Sequence, residues 1–237
     1  MSINRGAAAA LLLLASAACD AGGAQEEDEL SPFPPVERPV SAIVANQYSD
    51  EASREQTGEA ETVISILGVE EGDTVADIGA GKGFYMQRLA AAVGPEGRVY
   101  AQDIFPEVVS DLEVRASANG FGNVRSVLGT PGDPRLPETS LDHALMIHMY
   151  HEIENPYELL WHLRGSLKPG ATIAIVDADR ITSQHGTPPA LLACELSALG
   201  FSQIAQSPLQ DDTYVAVFEA DQPRPAPEDI VPCQNPL

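Results

Sequence analysis

The stretch Val75–Met86, VADIGAGKGFYM, decides how the chain is read. An apolar run ends in Asp77, and glycines then alternate at Gly79, Gly81 and Gly83 ahead of an apolar segment that starts at Phe84. A short apolar run closed by glycine reads as a buried strand. Alternating glycines remove side chains where the main chain must turn sharply and pass close to something else. A helix starting directly afterwards adds unpaired N–H groups and the positive end of its dipole. The stretch therefore predicts a strand, a ligand-cradling loop and a helix.

Working outward, the same alternation recurs. RVYAQDI, NVRSVLG, SLDHALMI and ATIAIVDAD read as further strands, and PEVVSDLEVRASANG, NPYELLWHLRGSL and PPALLACELSALG as helices between or after them. EAETVISILGV gives a helix before the first strand. FSQIAQ and TYVAVFEA follow one another with only a short polar link, so they are expected to pair as a hairpin. Strands alternating with helices predict a parallel sheet covered on both faces, and the apolar runs IAIV and HALMI lack the polar alternation of a half-exposed sheet.

In such a sheet, ligands lie beyond the carboxyl ends of the strands. A dinucleotide fingerprint has the spacing G-x-G-x-x-G. Here the loop is one residue shorter and follows an acid, Asp77. That acid is a poor neighbour for pyrophosphate and a good one for an ammonium group. Asp103, ending the second strand, is placed to accept hydrogen bonds from ribose hydroxyls, which suits either ligand class.

VADIGAGKGFY together with VYAQDI resembles the class I S-adenosylmethionine-dependent methyltransferases, and the likeness continues through LDHALMIHMYHEI and LKPGATIAIVDADR. It resembles most the bacterial predicted methyltransferases that begin D-I-G-A-G-x-G and carry Y-H-E-I after the fourth strand. The resemblance implies a single α/β domain with a Rossmann-like doubly wound sheet of seven strands, the last antiparallel. It implies S-adenosyl-L-methionine as cofactor. Asp77, Gly79, Ala80, Gly81 and Gly83 would hold its methionine part, Asp103 its ribose, and Ile104 and Phe105 would flank the adenine. Asp133, in GTPGDPRLP, is the candidate for the adenine amino group. Lys82 departs from the Thr or Ser usual in this loop.

Methyl transfer needs alignment and, for a neutral nucleophile, a base. The place for one is the end of the fourth strand, HMYHEI, where His148, Tyr150, His151 and Glu152 cluster. Either histidine can take a proton near neutral pH, with His151 favoured; the bland alternative is that these residues cap backbone groups and the next helix. H-x-x-H-E is not the H-E-x-x-H spacing of metalloproteases, so no metal is expected. Asp177 and Asp179 end the fifth strand as substrate contacts or turn residues, and His185 falls in a lid loop.

The acceptor expected is a small molecule. The Asn/Asp-Pro-Pro-aromatic motif of enzymes that methylate nucleobase amines is replaced here by HMYH. The formal net charge of −22 would repel a phosphate backbone. The cysteine set of an arsenic methylator is also missing.

The ends read differently from the middle. Arg5 precedes the apolar stretch 7–18, too short to span a bilayer, and then Cys19. This is an export-signal layout over residues 1–19. Ser16-Ala17-Ala18-Cys19 resembles a lipoprotein cleavage site, which would put a lipid on Cys19 and attach the protein to a membrane facing the periplasm. Ordinary cleavage after Ala17 and a cytoplasmic chain with an uncleaved start are the alternatives. Residues 20–41 read as a disordered acidic, Pro-rich tether, 42–219 as the folded domain, and 220–237 as a disordered Pro-rich tail. Cys194 reads as a small buried apolar residue, with a Cys194–Cys233 disulfide as the minor alternative. Export sets up the competing function, a non-catalytic ligand-binding protein with this fold, because S-adenosylmethionine is made in the cytoplasm. A nicotinamide-dependent oxidoreductase is disfavoured by the short loop and Asp77.

Overall fold

The computed structural model describes residues 1, 31–43 and 51–234. The chain divides into Met1–Ser31 and Pro32–Leu237, and the fold lies in the second unit. The leader, Cys19 and the first part of the acidic tether fall outside the described residues.

Seven strands form one sheet: β1 (Thr74–Ile78), β2 (Arg98–Asp103), β3 (Val124–Leu128), β4 (Leu141–Ile147), β5 (Leu167–Ala178), β6 (Ser202–Pro208) and β7 (Thr213–Glu219). Their order is β3-β2-β1-β4-β5-β7-β6. The pairs β1–β2, β2–β3, β1–β4 and β4–β5 are parallel. β7 lies antiparallel between β5 and β6, and its pairing with β6 is the hairpin that the short link predicted. The order reverses between β1 and β4, so the carboxyl ends of those strands open a crevice.

Five of the helices follow their sequence signals. α2 (Glu59–Leu67) stops at Gly68, whose φ of 77° lets its amide reach back to Ile64 and Ser65 carbonyls. α3 (Phe84–Ala92) begins directly after the glycine loop. α4 (Pro106–Ala118), α5 (Pro156–Ser166) and α6 (Pro189–Ser197) each open on proline, whose missing N–H costs nothing at a first turn. One face of the sheet packs Leu160, Leu163, Leu192 and Leu196 from α5 and α6. The other packs Val63, Met86, Leu89 and Leu112 from α2, α3 and α4. The central strands are buried on both sides, which accounts for their unbroken apolar runs.

One helix has no apolar signature in the sequence. α1 (Glu51–Thr57) is largely polar and is held by Arg54, whose guanidinium lies 5.0 Å from the Phe84 ring centre and 3.5 Å from a Glu59 oxygen.

The boundaries expected at both ends need correction. Residues 220–234 are not an unpacked tail. Trp161 donates its indole N–H to the Pro225 carbonyl, the Arg224 guanidinium stacks 3.8 Å from the Trp161 ring centre, and Ile230 is buried. Cys194 and Cys233 form a disulfide. The described part of the expected tether also packs. Phe33 meets Trp161 edge-on at 5.6 Å between ring centres. Arg38 is buried and donates to Glu195, and residue 37 pairs with residue 234 in an isolated parallel bridge. Proline and acid content predicts poor regular structure, but a strap needs only a few anchors to pack.

Candidate functional site

A cavity of about 750 Å³ occupies the crevice over the carboxyl ends of β1, β2, β4 and β5. The loop after β1 forms one wall. Gly79, Gly81 and Gly83 all adopt left-handed φ, at 68°, 52° and 79°. A Cβ on Gly83 would lie 2.8 Å from Leu112, and one on Gly79 3.1 Å from Met149, so both are glycine for packing as well as for turning. At Gly81 a Cβ would meet nothing nearer than the Gly79 carbonyl at 4.0 Å. It would point into open space that a ligand can use.

Asp103 faces this loop from the end of β2. Its carboxylate accepts the Ile104 and Phe105 amides at 2.8 and 3.2 Å and the Gly81 amide at 3.1 Å. Three backbone donors therefore fix it before any ligand arrives. Ile104 and Phe105 line the same cavity, and so do Ala80 and Lys82.

Asp77 sits behind the bend. One oxygen is buried with no hydrogen-bond partner. Burial pushes its carboxyl up to about 7, against the pull of the Arg54 charge. A second orphan lies under the cavity floor: the side-chain amide nitrogen of Gln102, also buried and unpartnered. Nothing in the sequence distinguished Gln102. Arg54 was missed for the same reason that α1 was, since a charged residue in a polar run carries no periodic signal.

Asp133 is not among the cavity-lining residues. Its carboxylate accepts the Arg135 amide at 2.7 Å, and the backbones of residues 130 and 133 bond each other. It closes its own turn, an ordinary use of Asp, instead of reaching the adenine end. Thr130 and Pro131 of that loop do line the cavity.

The HMYHEI cluster splits. Tyr150 is fully buried and donates its hydroxyl to Glu195 at 2.8 Å, on the side away from the cavity. Burial raises its pKa well above the ordinary value, and it is not among the cavity-lining residues. His148 lines the cavity with a left-handed backbone (φ 54°), and its Nε2 lies 2.9 Å from Glu59. Burial alone would raise the Glu59 carboxyl; His148 and Arg54 outweigh it and hold it below the ordinary value. His148 therefore ties α2 to the crevice mouth.

His151 has a different neighbour. It is 4% exposed, and its Nδ1 lies 2.9 and 3.1 Å from the two Asp177 oxygens. Asp177 is fully buried and also accepts the Ala178 amide and the Thr187 hydroxyl. A carboxylate only accepts, so Nδ1 is the donor of this contact, and in the neutral ring Nε2 keeps its lone pair. Both His151 and Glu152 line the cavity, joined there by His185 from the loop after β5. Asp177 thus orients a histidine, and Asp179 pairs its amide with Asp212.

With this geometry in hand, likeness to known proteins becomes specific. A model of the methyltransferase domain family matches residues 76–175, from β1 into β5. A demethylmenaquinone methyltransferase of Geobacillus kaustophilus is 26% identical over 122 residues, covering 52% of each chain. A 2-phytyl-1,4-naphtoquinone methyltransferase of Trichormus variabilis is 30% identical over 126 residues, covering 53% of this chain and 55% of that one. The crystal structure of a SAM-dependent methyltransferase from Aquifex aeolicus superposes with a TM-score of 0.66 at 25% identity, covering 73% of this chain and 99% of that one. The domain match and this structural likeness support a class I S-adenosylmethionine-dependent methyltransferase. It spans about half the length of the curated relatives it matches.

The cofactor of that family is S-adenosylmethionine, and the residues present fit it. The bare edge at Gly81 leaves room, Asp103 offers an oriented acceptor, and Asp77, buried behind the bend and outside the cavity lining, keeps one oxygen without a partner.

Proposed function

We propose that the protein transfers a methyl group from S-adenosylmethionine to a small organic acceptor. The observation that carries the reading is the pairing of the bare edge at Gly81 with an Asp103 carboxylate already fixed by three amides. When bound, the cofactor supplies an electrophilic methyl carbon on a sulfonium, open to in-line displacement.

The chain's own residues then do three things. Asp103 accepts from the ribose hydroxyls, and Ile104 and Phe105 give the adenine an apolar seat. Asp77 favours the ammonium of the methionine part, while Arg54 brings a positive charge suited to its carboxylate. His151 presents its Nε2 to the acceptor side, with the ring held in one orientation by Asp177. The quinone methyltransferases among the relatives support a small acceptor, as does the acidic surface. The Cys194–Cys233 disulfide supports a protein exported to an oxidising compartment.

Calorimetric titration of the full chain with S-adenosylmethionine tests the reading. Binding is expected, with Asp103→Ala weakening it roughly tenfold or more through lost charge-assisted hydrogen bonds. Binding of a nicotinamide cofactor instead, or an unchanged affinity in Asp103→Ala, defeats the assignment. A screen of quinol, phenol and thiol acceptors then separates an enzyme from a ligand-binding relative.

A further inference from the structure

Beyond the cofactor's end of the crevice, side chains from β4 and β5 loops come together in a way that the sequence spacing did not suggest. His151, Glu152 and His185 place one ligand-type atom each within 4.8 Å of one another. The His151 Nε2 lies 4.0 Å from a Glu152 oxygen, and the His151 and His185 rings meet edge-on at 5.4 Å. Two loops after different strands supply the set, so no short motif could reveal it.

We propose that His151, Glu152 and His185 bind a divalent transition-metal cation of the zinc type, with positions left open toward the cavity. Three features support this. The set is two imidazoles and one carboxylate, the composition that holds zinc with a vacant position for a substrate. Metal-ligand bonds of about 2.0–2.2 Å set tetrahedral ligand atoms about 3.4 Å apart, so atoms up to 4.8 Å apart must close by at most about 1.4 Å, within reach of side-chain rotation. Most telling, His151 is already held as a metal ligand is held. Its Nδ1–H goes to Asp177, which is itself anchored by the Ala178 amide and the Thr187 hydroxyl, so Nε2 is aimed into the site by a carboxylate–histidine relay.

The backbone around His185 serves the same placement. His185 has a left-handed φ of 54°, uncommon for a residue with a side chain. At Gly186 a Cβ would lie 2.5 Å from the Ala178 carbonyl oxygen, so only glycine lets this loop press against the end of β5. The next residue, Thr187, bonds both the Ala178 carbonyl and Asp177. The loop is thereby folded back over β5 with His185 set against His151.

The inference rests on the methyltransferase reading for its purpose and deepens it. A cation here would bind the acceptor through an oxygen or sulfur donor as the anion, its proton released to water, ready to meet the cofactor's methyl. The acceptor class it favours is a phenol, quinol or thiol able to ligate a metal.

The test uses the full chain after dialysis against a chelator. Zinc is titrated by calorimetry and cobalt(II) by its visible absorption. One equivalent of either is expected to bind, the cobalt spectrum showing nitrogen and oxygen ligation. Glu152→Gln and His185→Ala should each weaken binding by at least tenfold, and Asp177→Asn by roughly 10–100-fold, the range for an outer-shell partner. A parallel titration with S-adenosylmethionine reports folding and the cofactor site independently. Absent metal binding with normal cofactor binding overturns this proposal and leaves the methyltransferase reading intact. Metal uptake that all three variants leave unchanged overturns it equally, as adventitious. Metal binding without cofactor binding defeats the methyltransferase reading alone.

Discussion

A single carboxyl shows what the residue scale decides. Asp77 is legible in the sequence as an acid before a glycine loop, but its state is not, because burial sets that state. Its folded value of about 7 lies above the ordinary 3.8. Its contribution to stability is therefore fully present below about 3.8 and is lost as pH rises through about 7, where the buried carboxyl must ionise. The cofactor reverses the preference, since an ammonium favours the charged form. Affinity for S-adenosylmethionine should rise by up to about tenfold per pH unit from roughly pH 5 toward pH 7, with protons released on binding. Calorimetry in two buffers of different ionisation enthalpy measures both, and Asp77→Asn should flatten the profile. A pH-independent affinity without proton release contradicts the role given to Asp77. The position of Asp103, by contrast, was legible, because a strand end and a distance from the loop locate it beside Gly81. Asp133 was not, since choosing between a ligand contact and a turn depends on a backbone angle that residue type does not fix.

At the scale of elements, every strand and the five helices α2 to α6 followed from periodicity, glycine stops and proline starts. What periodicity does not report is how irregular segments anchor. The strap at residues 32–43 reaches the HMYHEI turn directly: the Ser41 amide donates to the His151 carbonyl, and its hydroxyl bonds the Thr182 carbonyl. Arg38 donates to Glu195 at 2.9 Å and to the Tyr150 carbonyl at 3.4 Å. Glu195 also receives the Tyr150 hydroxyl, so one buried ion pair braces the turn that carries His151. Next to it in sequence, Cys194 joins α6 to the tail. Removing Arg38 leaves a buried charge on Glu195, so Arg38→Ala should cost about 3–5 kcal/mol. An Arg38→Met, Glu195→Gln double variant should recover part of that. The disulfide closes a separation of 39 residues, and its loss by Cys194→Ser, Cys233→Ser should cost roughly 2–4 kcal/mol. Denaturant melts read both. Arg38→Ala melting like the parent would mean that the strap is not part of the cooperative fold.

For the whole molecule, charge, ends and redox chemistry have to be consistent with one another. The formal net charge of −22 argues against nucleic-acid partners and says nothing of the fold. Among the described residues no helix is long and apolar enough to cross a membrane. Cys19 ends the leader-like stretch, and the disulfide between Cys194 and Cys233 fits a folded domain that matures where thiols oxidise. We propose that the leader is removed and Cys19 carries lipid, with the domain on the periplasmic side. A single acyl anchor gives only marginal membrane binding, so stable attachment requires more than one chain on that residue. Expressed in a bacterial host with its leader intact, the parent chain should partition with membranes and incorporate labelled fatty acid. Cys19→Ser should move it to the soluble fraction without label. The Cys194–Cys233 bridge should be resistant to alkylation in both, since both leave the cytoplasm. A membrane-bound Cys19→Ser protein removes the lipid assignment. A parent chain with freely alkylated cysteines and an uncut leader removes export itself, and with it the difficulty of supplying a cytoplasmic cofactor to a protein outside.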